Sequence, residues 1–120
     1  MKDKFFRMID SMDKCLCDDY WDDYYSDDII RYISGLEPLQ GKKASIKQLK
    51  DFIENIDLSS VKIDVRMKAV DEASQTSVYE YRYEFDDASQ GKIKQMLIHV
   101  QRWRDEKIYE EFIYVMPLKN

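Results

Sequence analysis

The sequence contains little of what most metal and nucleophilic sites are built from. It has one histidine, two cysteines, three glycines and two prolines in 120 residues. Cys15 and Cys17 have no histidine or third cysteine near them, which is too few ligands for a zinc site. A disulfide between residues this close would be strained, so we expect two reduced thiols. The sequence also lacks a phosphate-binding glycine loop and a nucleophilic serine motif.

Long apolar segments are also missing. No run approaches the roughly 20 residues that span a bilayer. The segment MKDKFFRMID has neither the apolar stretch nor the cleavage site of a signal peptide, so we expect a cytoplasmic protein. With 44% hydrophobic and 36% charged residues, the composition is that of a globular protein. The length predicts a single domain over residues 1–120.

Positive charge is not in excess. The formal net charge is −5, and residues 10–28 hold eight aspartates against one lysine. Nucleic acids and anionic membranes are bound through clustered Lys and Arg, so we exclude both as partners. The aspartates lack the alternating oxygen ligands and the glycine of a calcium loop. We interpret them as the solvated face of a helix, and we expect no metal.

The first half of the chain has a mainly helical pattern. Apolar residues at helical spacing predict two helices in the first 26 residues, the second starting at Asp18 or Asp19. A short strand, DDIIRYIS, follows. For a third helix, Ser45 has capping-box spacing to Gln48, and an apolar stripe extends to Ile56.

From residue 61 onward apolar and polar residues alternate, which predicts strands. The first strand, VKIDVRMKA, would place on one face Val61, Ile63, Val65, Met67 and Ala69. Three more candidates follow: VYEYRYEF, IKQMLIHVQRWR and KIYEEFIYV. A tight turn at Asp105-Glu106 joins the last two. Helices followed by antiparallel strands with one polar face predict an α+β fold in which helices cover a curved sheet.

A stripe of three tyrosines is the strongest indication of a binding site. Tyr79, Tyr81 and Tyr83 share one strand face, and each buried hydroxyl would need a hydrogen-bonding partner that phenylalanine does not need. Three in a row favour a face that lines water or a polar ligand; a dimer interface or the edge of the core is the alternative. Gln101 and Trp103 would add a polar group and an apolar wall, the usual composition of a small-molecule site.

His99 shares a face with Gln101 and Trp103 by strand alternation. A histidine among apolar neighbours is either a hydrogen-bonded core residue or part of a pocket. Because imidazole titrates near neutrality, a pocket histidine could act as acid, base or oxyanion donor. The residues alone leave both interpretations open.

Two longer segments resemble a known superfamily. YYSDDIIRYISGLEPLQGKKASIKQLKDF and HVQRWRDEKIYEEFIYV are similar to characteristic stretches of the SnoaL-like and nuclear transport factor two-like proteins. The resemblance implies a cone-shaped α+β barrel, with three N-terminal helices packed on a strongly curved, mainly antiparallel sheet. It also implies a pocket between helices and sheet and, often, a dimer through the outer sheet face. The chain departs at Glu106, where the superfamily usually has a glycine suited to positive φ.

The superfamily includes ketosteroid isomerase, scytalone dehydratase, polyketide cyclases, epoxide hydrolases and binding proteins, so the fold alone does not select a function. Alignment with ketosteroid isomerase puts Ile33 at the catalytic aspartate, Ile9 near the oxyanion-binding tyrosine and His99 at the second acid. Isoleucine can neither move a proton nor donate a hydrogen bond, so that mechanism is not supported. Asp10 and Asp13 resemble the aspartate-containing helix of the dehydratase only loosely, and its second histidine is absent.

We therefore expect a homodimer that binds a small, largely apolar molecule with a few polar groups and uses no cofactor. The pocket would have His99 deep within it and be lined by Trp21, Tyr25, Tyr79, Tyr81, Tyr83, Gln101 and Trp103. If the protein is an enzyme, His99 would be the acid–base in a proton transfer of isomerase, cyclase or dehydratase type. The alternative is a non-catalytic ligand-binding or protein-interaction module in which His99 is structural. An exposed apolar sheet face would favour the interaction module, and an enclosed cavity reaching His99 would favour the binder or enzyme.

Overall fold

The computed structural model describes residues 1–119. The helices are α1 (Lys2–Asp10), a 3₁₀-helix (Met12–Lys14), α2 (Asp18–Tyr24) and α3 (Lys42–Ile53). The strands are β1 (Tyr25–Ile33), β2 (Leu39–Gln40), β3 (Ile56–Asp71), β4 (Thr76–Asp87), β5 (Gly91–Arg104) and β6 (Lys107–Pro117). They form one six-stranded sheet in the order β2-β1-β6-β5-β4-β3. All neighbouring strands are antiparallel except β1 and β6, which are parallel.

Helix α2 begins at Asp18, as predicted, but α3 differs from its prediction. It begins at Lys42 with Gly41 as its N-cap, at φ 93°. The Gly41 N–H donates to the carbonyl of Ile29 at 2.7 Å, which fixes the entry into the helix. The predicted capping box is therefore wrong: Ser45 lies inside the helix, fully buried, and its hydroxyl has no hydrogen-bond partner among the described residues. Ile56, predicted as the end of the helical stripe, instead begins β3.

In the long edge strand β3, the alternation of side chains between the two faces of the sheet shifts by one residue part of the way along. Val65 lies opposite Tyr81 on the concave face of the sheet, whereas Met67 lies opposite Glu80 on the outer face, because the register shifts between them. The predicted single apolar face is therefore wrong beyond Val65, since Met67 and Ala69 point outward. An extra residue of this kind also bends and twists a strand, which contributes to the curl of the sheet.

The hairpin between β5 and β6 turns at Asp105 and Glu106, as predicted. Both residues have positive φ, 53° and 62°, as in the two-residue turns that favour Asn-Gly. Residues other than glycine are disfavoured there by roughly 1–2 kcal/mol each. Lys4 Nζ donates to the carbonyl oxygen of Glu106 at 2.8 Å, so helix α1 holds this strained turn from one side.

The three helices pack on a mixed sheet that is curled but not closed. This confirms the predicted α+β fold, with an open curled sheet in place of a closed barrel. The core lies between the helices and the concave face, where the fully buried apolar side chains include Phe5, Met8, Ile29, Phe85 and Ile108. Burying one such side chain contributes about 1.5–3 kcal/mol. None of the helices among residues 1–119 is long and apolar enough to cross a membrane.

Candidate functional site

His99 lies on the concave face of β5 and is 6% exposed. Its Nδ1 atom is 3.1 Å from Glu111 Oε2 and 3.3 Å from the Tyr79 hydroxyl. Its Nε2 atom is 3.1 Å from the Tyr81 hydroxyl. The imidazole also stacks on the ring of Tyr79, with centroids 4.5 Å apart. Both ring nitrogens therefore have polar partners within the protein.

Glu111, on β6, is fully buried at the centre of these contacts. Its carboxylate accepts hydrogen bonds from Arg31 Nε at 2.7 Å, Gln101 Nε2 at 2.5 Å and the Tyr25 hydroxyl at 3.2 Å. Burial alone would raise the pKa of Glu111, but the Arg31 guanidinium and the His99 hydrogen bond outweigh it and lower that pKa to about 2. Glu111 is therefore ionised at neutral pH.

Arg31 reaches this carboxylate from β1, the strand next to β6. Burial acts to lower the pKa of Arg31, but the Glu111 carboxylate more than compensates, so the net shift is upward. The guanidinium carbon lies 5.1 Å from the Trp21 ring centroid and 5.9 Å from that of Tyr25. Such cation–π contacts stabilise a cation that has lost its water. Trp21 is itself held by a 2.8 Å hydrogen bond from Nε1 to the carbonyl of Cys15.

A second line of hydrogen bonds orients Gln101. Trp103 Nε1 donates to Ser77 Oγ at 2.8 Å, and Ser77 Oγ donates to Gln101 Oε1 at 2.9 Å. All three residues are buried. This leaves the Gln101 amide nitrogen to face Glu111, so the carboxylate is held by side chains from β1 and β5 together.

Aromatic side chains form a row from His99 toward the surface. The ring centroids of Tyr81 and Tyr83 are 6.2 Å apart, those of Tyr83 and Phe85 4.8 Å, and those of Phe85 and Phe52 5.6 Å. Tyr81 is buried, Tyr83 is half-buried, and Phe52 on α3 is 39% exposed. Burial raises the pKa of Tyr81, and it raises that of Tyr83 to about 12. Both phenols therefore keep their protons at neutral pH.

We name the hydrogen-bonded group the His99 cluster: Tyr25, Arg31, Tyr79, Tyr81, His99, Gln101 and Glu111. The structure brings together all the residues predicted from sequence to form the site. Trp21 and Trp103 contact the cluster through Arg31 and Ser77, and Tyr83 lies at its edge beside Tyr81. Their contact with a ligand stays a prediction.

Two surface depressions among the described residues lie away from this cluster. One, of about 410 Å³, is lined by the start of α1, Glu72 and Glu106. The other, of about 400 Å³, lies over β3, β4 and β5 near Lys62 and Lys94. Neither is lined by His99. All seven residues of the cluster are buried. The cluster is closed in this structure, and a ligand would have to enter by moving side chains at its edge.

Sequence reasoning missed both charged residues of the cluster. Arg31 lies between Ile29 and Ile33 at alternate positions of β1, and Glu111 precedes Ile113 at the corresponding spacing on β6. Each is thus a charge at a position where the strand pattern calls for an apolar residue. Two opposite charges at such positions are the signal that could have indicated a buried ion pair, since buried charges are almost always paired.

The outer face of the sheet has an apolar centre. Its side chains form the outer patch: Tyr32, Ile98, Val100, Phe112, Tyr114 and Met116. Pairing across β5, β6 and β1 places them side by side, and the rings of Tyr32 and Phe112 stack with centroids 4.9 Å apart. Tyr114 is 55% and Met116 54% exposed. The outward polar side chains Glu80 and Arg82 lie to one side of the patch, on β4.

Comparison of the sequence with protein-family models and with curated proteins gives no match. Solved structures do match. A proposed SnoaL-like polyketide cyclase from Mesorhizobium loti aligns with a TM-score of 0.79 and 16% identity, over 94% of this chain and 97% of its own. A nuclear transport factor two-like protein of unknown function from Cytophaga hutchinsonii aligns with a TM-score of 0.76 and 14% identity, over 97% and 99% of the two chains.

An LEH-like epoxide hydrolase from M. tuberculosis aligns with a TM-score of 0.70 and 12% identity, over 94% of this chain and 83% of its own. Identities this low establish the fold and not the activity. The resemblance predicted from the sequence is confirmed at that level. The chain has the fold of the SnoaL-like and nuclear transport factor two-like proteins.

Proposed function

We propose that this protein binds a small, largely apolar molecule with a few polar groups on the concave side of its sheet. We propose further that His99 acts there as the acid–base of a cofactor-free proton transfer of isomerase, cyclase or dehydratase type. The observation that carries the proposal is the fully buried Glu111 carboxylate, which contacts an imidazole and a guanidinium inside the core.

Such a cluster is a poor way to stabilise a fold. A buried ion pair contributes little net stability compared with apolar residues of the same size, because both charges lose their water. Buried groups with a strongly shifted pKa occur preferentially at functional sites. The lowered pKa of Glu111 and the raised pKa of Tyr81 are shifts of this kind.

The edge of the cluster offers an entry for the ligand. Tyr83 is half-buried, and the aromatic row continues from it through Phe85 to the exposed Phe52. Aromatic walls with a few polar groups at the end suit a small organic molecule. That proteins described as a polyketide cyclase and an epoxide hydrolase have the same fold also favours a small organic substrate.

Thermal unfolding with a panel of small aromatic and alicyclic alcohols and ketones tests the binding proposal. A bound compound at about 100 times its dissociation constant stabilises by about 2.7 kcal/mol, a rise in Tm of several degrees. We expect the rise to shrink in His99→Gln and to persist in Tyr114→Glu, a variant of the opposite sheet face. A rise that persists in His99→Gln and disappears in Tyr114→Glu would place the ligand on the outer patch and contradict the proposal.

We propose as well that the outer patch joins two copies of this chain into a homodimer. The patch lies across the centre of the sheet, and two-fold pairing of one patch with itself is the commonest arrangement in soluble oligomers. Stable interfaces need about 800 Å² from each partner, with an apolar centre and a polar rim. Here the rim includes the ion pair of Arg82 with Glu80. This exposed face also supports the alternative function, a non-catalytic binding or interaction module with His99 structural.

Replacing Tyr114 with glutamate is expected to weaken the dimer by at least about 100-fold, because the carboxylate would be buried without a partner. The matched control is Leu58→Glu on edge strand β3, since Leu58 is 54% exposed and Tyr114 55%. Sedimentation equilibrium measures both. A wild type that sediments as a monomer at high concentration, or equal effects of the two variants, would contradict the dimer proposal.

A further inference from the structure

Neither nitrogen of His99 is free to contact a ligand directly. Nδ1 faces Glu111 Oε2 and the Tyr79 hydroxyl, and Nε2 faces the Tyr81 hydroxyl. The imidazole is also covered on one side by the stacked ring of Tyr79. A ligand entering from the half-buried Tyr83 meets Tyr81 first, because Tyr81 is its neighbour in the aromatic row. Tyr81 is therefore the cluster residue next to the half-buried Tyr83, and its hydroxyl lies between that edge and His99 Nε2.

When the imidazole is neutral, the donors and acceptors of the cluster fix the direction of its hydrogen bonds. An ionised carboxylate only accepts, so the hydrogen between Glu111 and His99 must lie on Nδ1. In a neutral imidazole the other nitrogen, Nε2, then has a lone pair and accepts. Tyr81 must accordingly donate its single hydroxyl hydrogen to Nε2. The Tyr81 oxygen is left with lone pairs and no hydrogen for a ligand.

We infer that Tyr81 is the residue that contacts the ligand, and that it selects molecules presenting a hydroxyl donor over isosteric molecules presenting only an acceptor. This inference rests on the proposed function, since it assumes that a ligand occupies the concave side. His99 acts behind Tyr81, through which it exchanges the proton, and Glu111 positions His99. A ligand with only a carbonyl or ether oxygen would meet a lone pair, or would have to break the hydrogen bond of Tyr81 to His99.

The same hydrogen bonds allow a proton to pass from a ligand hydroxyl through Tyr81 to His99. The ligand hydroxyl gives its proton to the Tyr81 oxygen as Tyr81 gives its own proton to His99 Nε2. The electron pair of the broken O–H bond stays on the ligand oxygen, which becomes an oxyanion. The imidazolium formed has one N–H toward Tyr81 and the other toward the Glu111 carboxylate, whose negative charge stabilises it. Arg31 keeps that carboxylate ionised and in place.

The first test needs neither a variant nor a ligand. His99 is the only histidine of the chain, so its imidazole nitrogens are unambiguous in a ¹⁵N NMR spectrum. We expect the hydrogen of the neutral ring on Nδ1 and an unprotonated Nε2. A ring with a hydrogen on Nε2 at neutral pH, whether neutral or doubly protonated, would overturn the inference, because Tyr81 would then accept from His99 and could donate to a ligand.

The second test compares phenol with anisole, its methyl ether, by chemical-shift titration. We expect phenol to bind the wild type at least about 10-fold more tightly, the usual cost of leaving one buried hydrogen bond unmade. The preference should vanish in Tyr81→Phe and persist in Tyr109→Phe, a matched loss of one phenol hydroxyl on β6 outside the His99 cluster. Equal binding of the two probes to the wild type overturns the inference alone. If neither probe perturbs the concave face, the proposed function fails with it.

Discussion

Replacing Arg31 with methionine is expected to lower the free energy of unfolding by about 3–5 kcal/mol. Methionine fills most of the same volume but leaves the fully buried Glu111 carboxylate without its cation. The carboxylate must then either remain charged in the core or take up a proton and lose some of its acceptor sites, and both are costly. Urea unfolding at neutral pH measures the change as a lower midpoint at unchanged slope.

Two further variants distinguish the effect of breaking the Arg31–Glu111 ion pair from the effect of losing any arginine. Arg82→Met removes a partner from the ion pair with Glu80, which is only part-buried, and should cost no more than about 1 kcal/mol. In the cycle that combines Arg31→Met with Glu111→Gln, the double variant should lose clearly less stability than the two single losses added together. Additive losses, or a loss below about 1 kcal/mol in Arg31→Met, would show that the pair is not the buried interaction described here.

Acid is expected to destabilise the protein through Glu111. The folded protein holds the pKa of Glu111 at about 2, below its usual value of 4.5. A depressed carboxyl pKa contributes stability that is present above the unfolded pKa and is lost as pH falls toward the folded one. The contribution should therefore disappear between about pH 5 and pH 2, and we expect a loss of about 2–3 kcal/mol from this group.

The measurement is the difference in unfolding free energy between the wild type and Glu111→Gln at each pH. Glutamine keeps the shape of the side chain and cannot ionise, so this difference should shrink steadily as the pH is lowered from 5 to 2. Glu110→Gln, at the adjacent position of β6, corrects for the loss of one carboxylate from the chain. A difference that stays constant or widens toward low pH would contradict the assigned ionisation of Glu111.

The elements with clear periodicity were predictable from the sequence. The tyrosine strand β4 and the histidine strand β5 have the faces that alternation indicates, and α2 begins at its aspartate. The errors occurred where a local feature overrode the pattern. Gly41 starts α3 ahead of Ser45, and a one-residue register shift in β3 turns Met67 outward. The carbonyl that fixes the entry into α3 is distant in the sequence, and a bulge leaves the spacing of apolar residues unchanged. The apolar pattern therefore indicates neither feature.

The site was predictable in its aromatic part and not in its charged part. Tyr79, Tyr81 and His99 lie on neighbouring antiparallel strands joined by a hairpin, so alternation alone places them on one face. Arg31 and Glu111 are 80 positions apart. They meet because β1 and β6 pair in parallel at the middle of the sheet, a pairing that no local signal indicates. The residue that holds His99 was missed for this reason.

An NMR titration of His99 with a mixed small-molecule extract tests the central claim most directly. The imidazole signal of this single histidine reports on the concave cluster, and the ring signals of Tyr114 report on the outer patch. The account predicts that components of the extract shift the His99 signal, while the Tyr114 signals stay in place. A His99 signal unchanged in every fraction, with Tyr114 signals that respond, would contradict a ligand site at His99 and make the outer patch the functional surface.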